Sequence, residues 1–163
     1  MGWLPLIWAL VIIGGIVYVF VRQERERARS APLRAEIRAE IEARVCFAST
    51  LDRVRILRTG GLGGTRGQWI AAMRAGPKRL IVGTGAFRVV GPSVEYVFRG
   101  CESFIAFSQE PSRAAAHDWI IITGQSGTRQ VQLAISRKDA LQEIWRALEG
   151  TGAVRLPRPA LDG

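Results

Sequence analysis

The most constraining feature of the chain is an uncharged run at its start. Trp3-Leu-Pro-Leu-Ile-Trp-Ala-Leu-Val-Ile-Ile-Gly-Gly-Ile-Val-Tyr-Val-Phe-Val21 holds nineteen residues without an acid or a base. As a helix it would be about 29 Å long, close to the hydrocarbon thickness of about 30 Å. Lipid offers nothing for an open backbone group to bond, so a spanning segment of this kind must be helical. Trp3 and Trp8 near one end and Tyr18 near the other stand where amphipathic rings favour the interface. Pro5 falls in the first turn, where a missing N–H costs little. A cleaved leader is disfavoured. No base precedes the apolar core, and Arg22-Gln-Glu-Arg-Glu-Arg27 follows it at once.

Charge sets the expected orientation. No cation precedes the run, while Arg22, Arg25, Arg27 and Arg29 follow it. The positive-inside rule then puts the N-terminus outside and the remainder in the cytoplasm, as a single-pass protein of the cell membrane. These four arginines also form a juxtamembrane basic patch, which Glu24 and Glu26 weaken. The whole chain carries net charge +9, from 23 basic against 14 acidic residues, and only Lys78 and Lys138 are lysines. The excess is spread along the chain, so it favours anionic surfaces in general.

Residues 22–47 read as a charged stalk helix. Pro32 is expected to end the membrane helix near Ser30 and to start a second helix with Ser30 as N-cap. Leu33, Ile37, Ile41 and Val45 recur every four residues as a narrow apolar stripe that would pack one edge on the domain. From about residue 48 the period changes to two. Val54 and Ile56 alternate with Arg53 and Arg55. After the glycine-rich stretch 60–67, short strand candidates follow at 68–74, 79–82, 87–90, 94–98, 103–107, 119–123 and 129–135, separated by Gly/Pro turns and a polar loop at 108–117. The glycine run lacks the GK[ST] ending of a phosphate loop and is read as a flexible connection. Ser136-Arg-Lys-Asp139 resembles a capping box, and Leu141, Ile144, Trp145 and Leu148 give the helix behind it one apolar face. The expected fold is α+β: a transmembrane helix, then a small antiparallel β-roll or barrel of about seven strands, capped by a C-terminal amphipathic helix. Residues 151–163 are expected to be a disordered tail.

The order of strands and closing helix from about Gln68 to Gly150 resembles the pleckstrin-homology-like fold, with its GRAM and bacterial relatives, and the domain so read spans 48–150. The stretches that carry the likeness are Gly76-Pro-Lys-Arg-Leu-Ile-Val82 leading into Thr84 to Val90, and Val131 to Ser136 leading into Ala140 to Leu148. Some members of that family bind phosphoinositides through cations at the first hairpin. The resemblance therefore nominates Arg74, Lys78 and Arg79 as contacts for an anionic ligand, although the family's spacing of basic residues is not reproduced.

Catalysis finds no constellation. His117 beside Asp118 lacks a nearby nucleophile, the acids are scattered singly, and Cys46 and Cys101 stand 55 residues apart with no CxxC partner. No catalytic, cofactor or metal-ligating residue is nominated. Nucleic acid is not an expected partner, because the aromatics occupy positions that look buried. The expectation is a non-enzymatic, membrane-tethered module that binds or scaffolds a protein partner or anionic lipid headgroups. The alternative is a small accessory subunit of a larger membrane enzyme or transporter, held through its transmembrane helix.

Overall fold

The computed structural model describes residues 3–59, 76–92, 94–110 and 117–157. It opens with one helix, α1, over Leu4–Ala43, forty residues that run through Pro32 without a break. The expected division at Ser30 is thus corrected. An internal proline costs about 3 kcal/mol in an isolated helix. Here its ring stands on the exposed side, while contacts on either side of it hold the flanking turns in line. Glu26 meets Arg129 before the proline, and Ile37 and Ile41 are buried after it. Ser30 is itself buried, facing the turn at Gly127, and lies inside the helix where a cap was expected. The expected stripe also shifts. Ile37 and Ile41 are 2% and 0% exposed, but Leu33 and Val45 are 37% and 51% exposed. The face in use runs through Ser30, Arg34, Ile37 and Ile41, steps of four, three and four that follow a straight helix better than a strict four.

Among the described residues nine strands follow: β1 (Phe47–Leu51), β2 (Arg53–Thr59), β3 (Lys78–Val82), β4 (Ala86–Val90), β5 (Glu95–Arg99), β6 (Phe104–Glu110), β7 (His117–Ser126), β8 (Arg129–Ser136) and β9 (Val154–Arg155). They form two sheets, ordered β1-β3-β4-β5 and β2-β8-β7-β6-β9. Every pairing is antiparallel except that of β6 with β9. Only Asp52 separates β1 from β2, so one run of chain belongs to both sheets, and a 3-10 turn at Gly100–Glu102 carries the chain across again from β5 to β6. The result is two packed sheets rather than a closed barrel. Between them lies the main core, with Leu80, Phe87, Phe98, Ile105, Ile120, Ile122, Leu133 and Ile135 all fully buried. Phe87 and Phe98, opposite each other on β4 and β5, stack at 5.2 Å.

Several expected boundaries move. The strand candidate at 68–74 and the glycine run 60–67 lie outside the described residues. The polar loop at 108–117 is shorter, because Gln109 and Glu110 pair with Asp118 and His117 and extend both strands. The second helix, α2, spans Leu141–Gly150 and buries Ile144, Trp145 and Leu148, with Trp145 stacked on Phe107 at 4.4 Å. Its N-cap is Ala140, with no side-chain cap. Ser136 ends β8 instead, and its hydroxyl donates to the Asp118 carbonyl at 2.9 Å. The expected disordered tail is corrected over its first half. Ala153 is buried and Val154–Arg155 pair with β6, so the chain is ordered to Pro157. The remainder of the tail lies outside the described residues.

Candidate functional site

The site is the end of the domain beside which α1 enters. Three close approaches build it. At Gly127, in the turn between β7 and β8 with φ +66°, a Cβ would stand 2.7 Å from Ser30 Cβ and 3.0 Å from Arg34 Nε, so only glycine admits the helix there. At Gly83, after β3, a Cβ would stand 2.9 Å from the Ile41 Cα, which makes the same demand at the far end of the seat. Between them Ile37 and Ile41 pack on Ala86, Val97 and Ile81, forming a second, smaller core on the outer face of the first sheet. Alternate side chains of a strand point to opposite faces, so β4 and β5 feed both cores at once.

Ion pairs flank this apolar contact. Glu26 pairs with Arg129 at 3.1 Å and Glu36 with Arg99 at 2.7 Å. Arg38 bonds Glu95, which also receives Arg88 at 3.1 Å, and Arg88 reaches Glu42 at 3.2 Å. The four-membered chain Arg38–Glu95–Arg88–Glu42 crosses twice between helix and sheet. Pairs this exposed add little energy each, but they set the rotation of the helix on its seat.

The strand connections fix what lies at that end. Gly76, entering β3 with φ +88°, is so close to the β4–β5 turn that a Cβ would meet the Pro92 ring at 2.9 Å. Val94, Glu95 and Tyr96 share a small cavity of about 90 Å³ with Glu26, Ser30 and Arg34 of α1 and with Ser126, Thr128 and Arg129 of the β7–β8 turn. Thr59, at the end of β2, pairs with Val131, another residue lining that cavity. The end of β2, the entry to β3 and the turns β4–β5 and β7–β8 therefore gather at one end, with α1 against them. Burial in this cluster pushes the Tyr96 hydroxyl up to about 12, while Arg129 and Arg34 pull it the other way.

The nominated residues divide. Arg74 lies outside the described residues. Lys78 and Arg79 open β3 as consecutive strand residues, opposite Leu51 and Thr50. Their side chains thus leave opposite faces of the sheet. Arg22 pairs with Glu26 at 3.6 Å along α1, and Arg25 and Arg29 are exposed on it. The side chain of Arg27 lies outside the described set. The residues that build the seat, Gly83, Gly127, Glu26 and Arg129, were not nominated from sequence. Gly83 and Gly127 are legible there only as turn glycines, since nothing local reports an approaching helix.

Two clefts among the described residues lie away from this end. One of about 580 Å³, at the start of α2, is lined by Asp52, Asp118, Asp139 and Glu143 together with Arg53, Arg137 and Lys138. At its rim the Lys138 backbone N–H donates to the Asp52 carboxylate at 3.0 Å. The other, about 620 Å³, is a shallow apolar trough between Phe47, Val82 and Ala147. Among the described residues no group of three or more His, Cys, Asp or Glu is placed to hold a metal. Cys46 and Cys101 are free and exposed. No family model matches the chain, and no curated protein or solved structure matches it either.

Proposed function

We propose that the chain is a single-pass membrane protein whose cytoplasmic, pleckstrin-homology-like domain is a non-enzymatic binding module, mounted rigidly with its loop-bearing end toward the bilayer. One observation carries this reading: the helix that is apolar enough to span a membrane continues without a break into the seat on the first sheet. A helix rises about 1.5 Å per residue, so Ser30, at the Gly127 turn, stands about 14 Å beyond Val21, and Ile41, at Gly83, about 30 Å beyond it. The headgroup layer occupies roughly the first 5–8 Å of that span. The near end of the domain thus lies within about one Debye length of the headgroups and the far end well outside it. The strand order supports the pleckstrin-homology-like reading, since one bent run shared by two sheets and a helix behind the last long strand are features that fold would require. Charge on the two sides of the apolar segment supports a cytoplasmic domain.

Held there, the module binds anionic headgroups or scaffolds a protein partner at the bilayer surface. Confinement to a thin layer lets a weak intrinsic affinity suffice. The test is a pair of fluorescent reporters, at Thr128 and at Thr84, in chains reconstituted into vesicles that carry a headgroup quencher. Strong quenching at Thr128 and weak quenching at Thr84 is the expected result, and equal quenching at both sites would sink the orientation. Titrating anionic lipid then separates the ligands. Salt-sensitive protection of the Thr128 reporter marks headgroup binding, and its absence assigns the surface to a protein.

A second reading has its own observation. Every described side chain from Trp3 to Val21 is exposed, and Gly14 and Gly15 face open space. That surface suits an accessory subunit that meets a larger membrane enzyme or transporter through its helix. Replacing Leu4–Val21 with an unrelated apolar helix should abolish such a role and leave the binding module intact.

A further inference from the structure

Two guanidiniums from different elements converge on the small cavity at the loop-bearing end, Arg34 from α1 and Arg129 from β8. Arg34 lies against the β7–β8 turn, where a Cβ at Gly127 would stand 3.0 Å from its Nε and 3.3 Å from Nη2. Arg129 is held from the helix side by Glu26 at 3.1 Å. Burial raises the Tyr96 hydroxyl to about 12, and Arg129 and Arg34 both pull against that rise, so both charges act at one point. Ser30 and Ser126 line the same space and are themselves buried. Ser126 accepts the Val97 N–H at 3.0 Å and keeps its own proton to donate. Groups from four elements thus surround a volume of about 90 Å³, room for about three waters or one tetrahedral oxyanion.

The carboxylates beside the cavity are answered from outside it. Glu95 is held by Arg38 and, at 3.1 Å, by Arg88, which also reaches Glu42 at 3.2 Å. Glu26 takes Arg22 at 3.6 Å as well as Arg129. Together with Arg34, this set sets five guanidiniums against three carboxylates among the described residues, an excess of two positive charges. Half-buried, such an excess favours a dianion over a monoanion. A guanidinium carries five N–H groups in a planar fork, so Arg129 can keep Glu26 and still meet an anion's oxygen. Height narrows the ligand further. Ser30 stands about 14 Å beyond Val21, whereas the headgroup layer reaches roughly 5–8 Å, so the phosphodiesters of the bulk lipid stop short of the cavity.

We propose that this cavity binds a phosphomonoester dianion, gripped by Arg34 and Arg129, with the Tyr96, Ser30 and Ser126 hydroxyls donating to its oxygens. The proposal rests on the reading of the domain as a binding module and names what it binds. A monoester carries about two charges near neutral pH and three open oxygens, which suits the excess charge and the ring of donors. A diester has one charge and a second substituent that the cavity must also admit. The monoester comes either from a soluble molecule or from the tip of a headgroup bearing a further phosphate.

The test is calorimetric titration of the full chain, reconstituted in phosphatidylcholine vesicles, with glycerol 3-phosphate and with dimethyl phosphate as the diester. The monoester should bind, and the diester about tenfold more weakly or worse. Arg34→Gln and Arg129→Gln should each weaken the monoester about tenfold, while Lys78→Gln leaves it unchanged. Should an arginine variant unfold, Tyr96→Phe decides, because it keeps the buried ring and removes one donor; a loss of about fivefold is expected. Phosphatidylinositol 4-phosphate added to the vesicles separates the sources: competition with glycerol 3-phosphate assigns the site to a headgroup monoester, and its absence to a soluble one. No monoester binding, equal binding of the diester, or undiminished binding by the folded variants overturns the proposal. A wrong mounting shows itself differently, as equal quenching of the Thr128 and Thr84 reporters with monoester binding intact.

Discussion

The two halves of α1 are one helix in geometry and two objects in physics. From Trp3 to Val21 every described side chain is exposed, and an added Cβ at Gly14 or Gly15 meets nothing. From Glu26 to Ala43 the same helix is seated between Gly127 and Gly83, with Ile37 and Ile41 buried and ion pairs on both flanks. The first half needs a solvent that the domain does not supply. The second has its environment built by the sheet. The comparison teaches that continuity of backbone, rather than a linker, fixes how the domain meets whatever surrounds the first half.

The largest expected effect separates the halves by stability. Ile41→Ala should cost the domain about 3 kcal/mol in urea unfolding, because a fully buried side chain leaves a cavity that Gly83 and Ala86 cannot fill. Ile13→Ala, in the exposed half, should leave the domain's midpoint unchanged. If both variants unfold alike, the seat is not what distinguishes the halves.

A smaller effect uses Tyr96, whose cavity α1 helps to close. Its hydroxyl is raised to about 12 by burial, against an ordinary value of 10. An acid whose folded value is raised holds its proton longer in the folded state, so the contribution of Tyr96 to stability is constant below about pH 10 and falls as pH rises toward 12. Phenolate absorbance at high pH should report one tyrosine with this late midpoint. A seat loosened by Ile41→Ala should move it down, and an unmoved midpoint would show that α1 does not shield the ring.

The smallest effect concerns the flanks. Glu36→Gln removes an exposed partner of Arg99 and should change stability by less than about 1 kcal/mol, with the difference fading at high salt. A larger, salt-insensitive loss would mean that the ion pairs, rather than Ile37 and Ile41, hold the helix down.

Much of the domain was legible because its strands announce themselves by period and turn. Phe87 and Val89 alternate into the core, Gly76-Pro77 opens β3, and Leu141, Ile144, Trp145 and Leu148 mark the one buried face of α2. What failed did so where a long-range contact overrode a local rule. Pro32 reads as a break, yet contacts from Arg129 and the Ile37–Ile41 core hold the helix through it. Ser136 reads as a cap, yet its hydroxyl serves Asp118 on the neighbouring strand. The tail reads as loose, yet two backbone bonds draw it onto β6. Of the anionic-ligand candidates, adjacency in sequence placed Lys78 and Arg79 together, and the pleat of β3 placed them on opposite faces.

The sequence by itself determined the elements: an apolar helix long enough to cross a bilayer, a run of short strands and a final helix with one face to bury. Each follows from chemistry within a few residues, and hydrophobic period and turn residues are written at that range. Only the tertiary structure decided the mounting. That α1 runs straight into the domain, that the β4–β5 and β7–β8 turns meet beside it, and that Val154–Arg155 pair with β6 all depend on groups tens of residues apart. Glu26 and Arg129 are one such pair, and Gly83 with Ile41 another. Such contacts form only when a chain fold brings them within reach, so no local pattern encodes them.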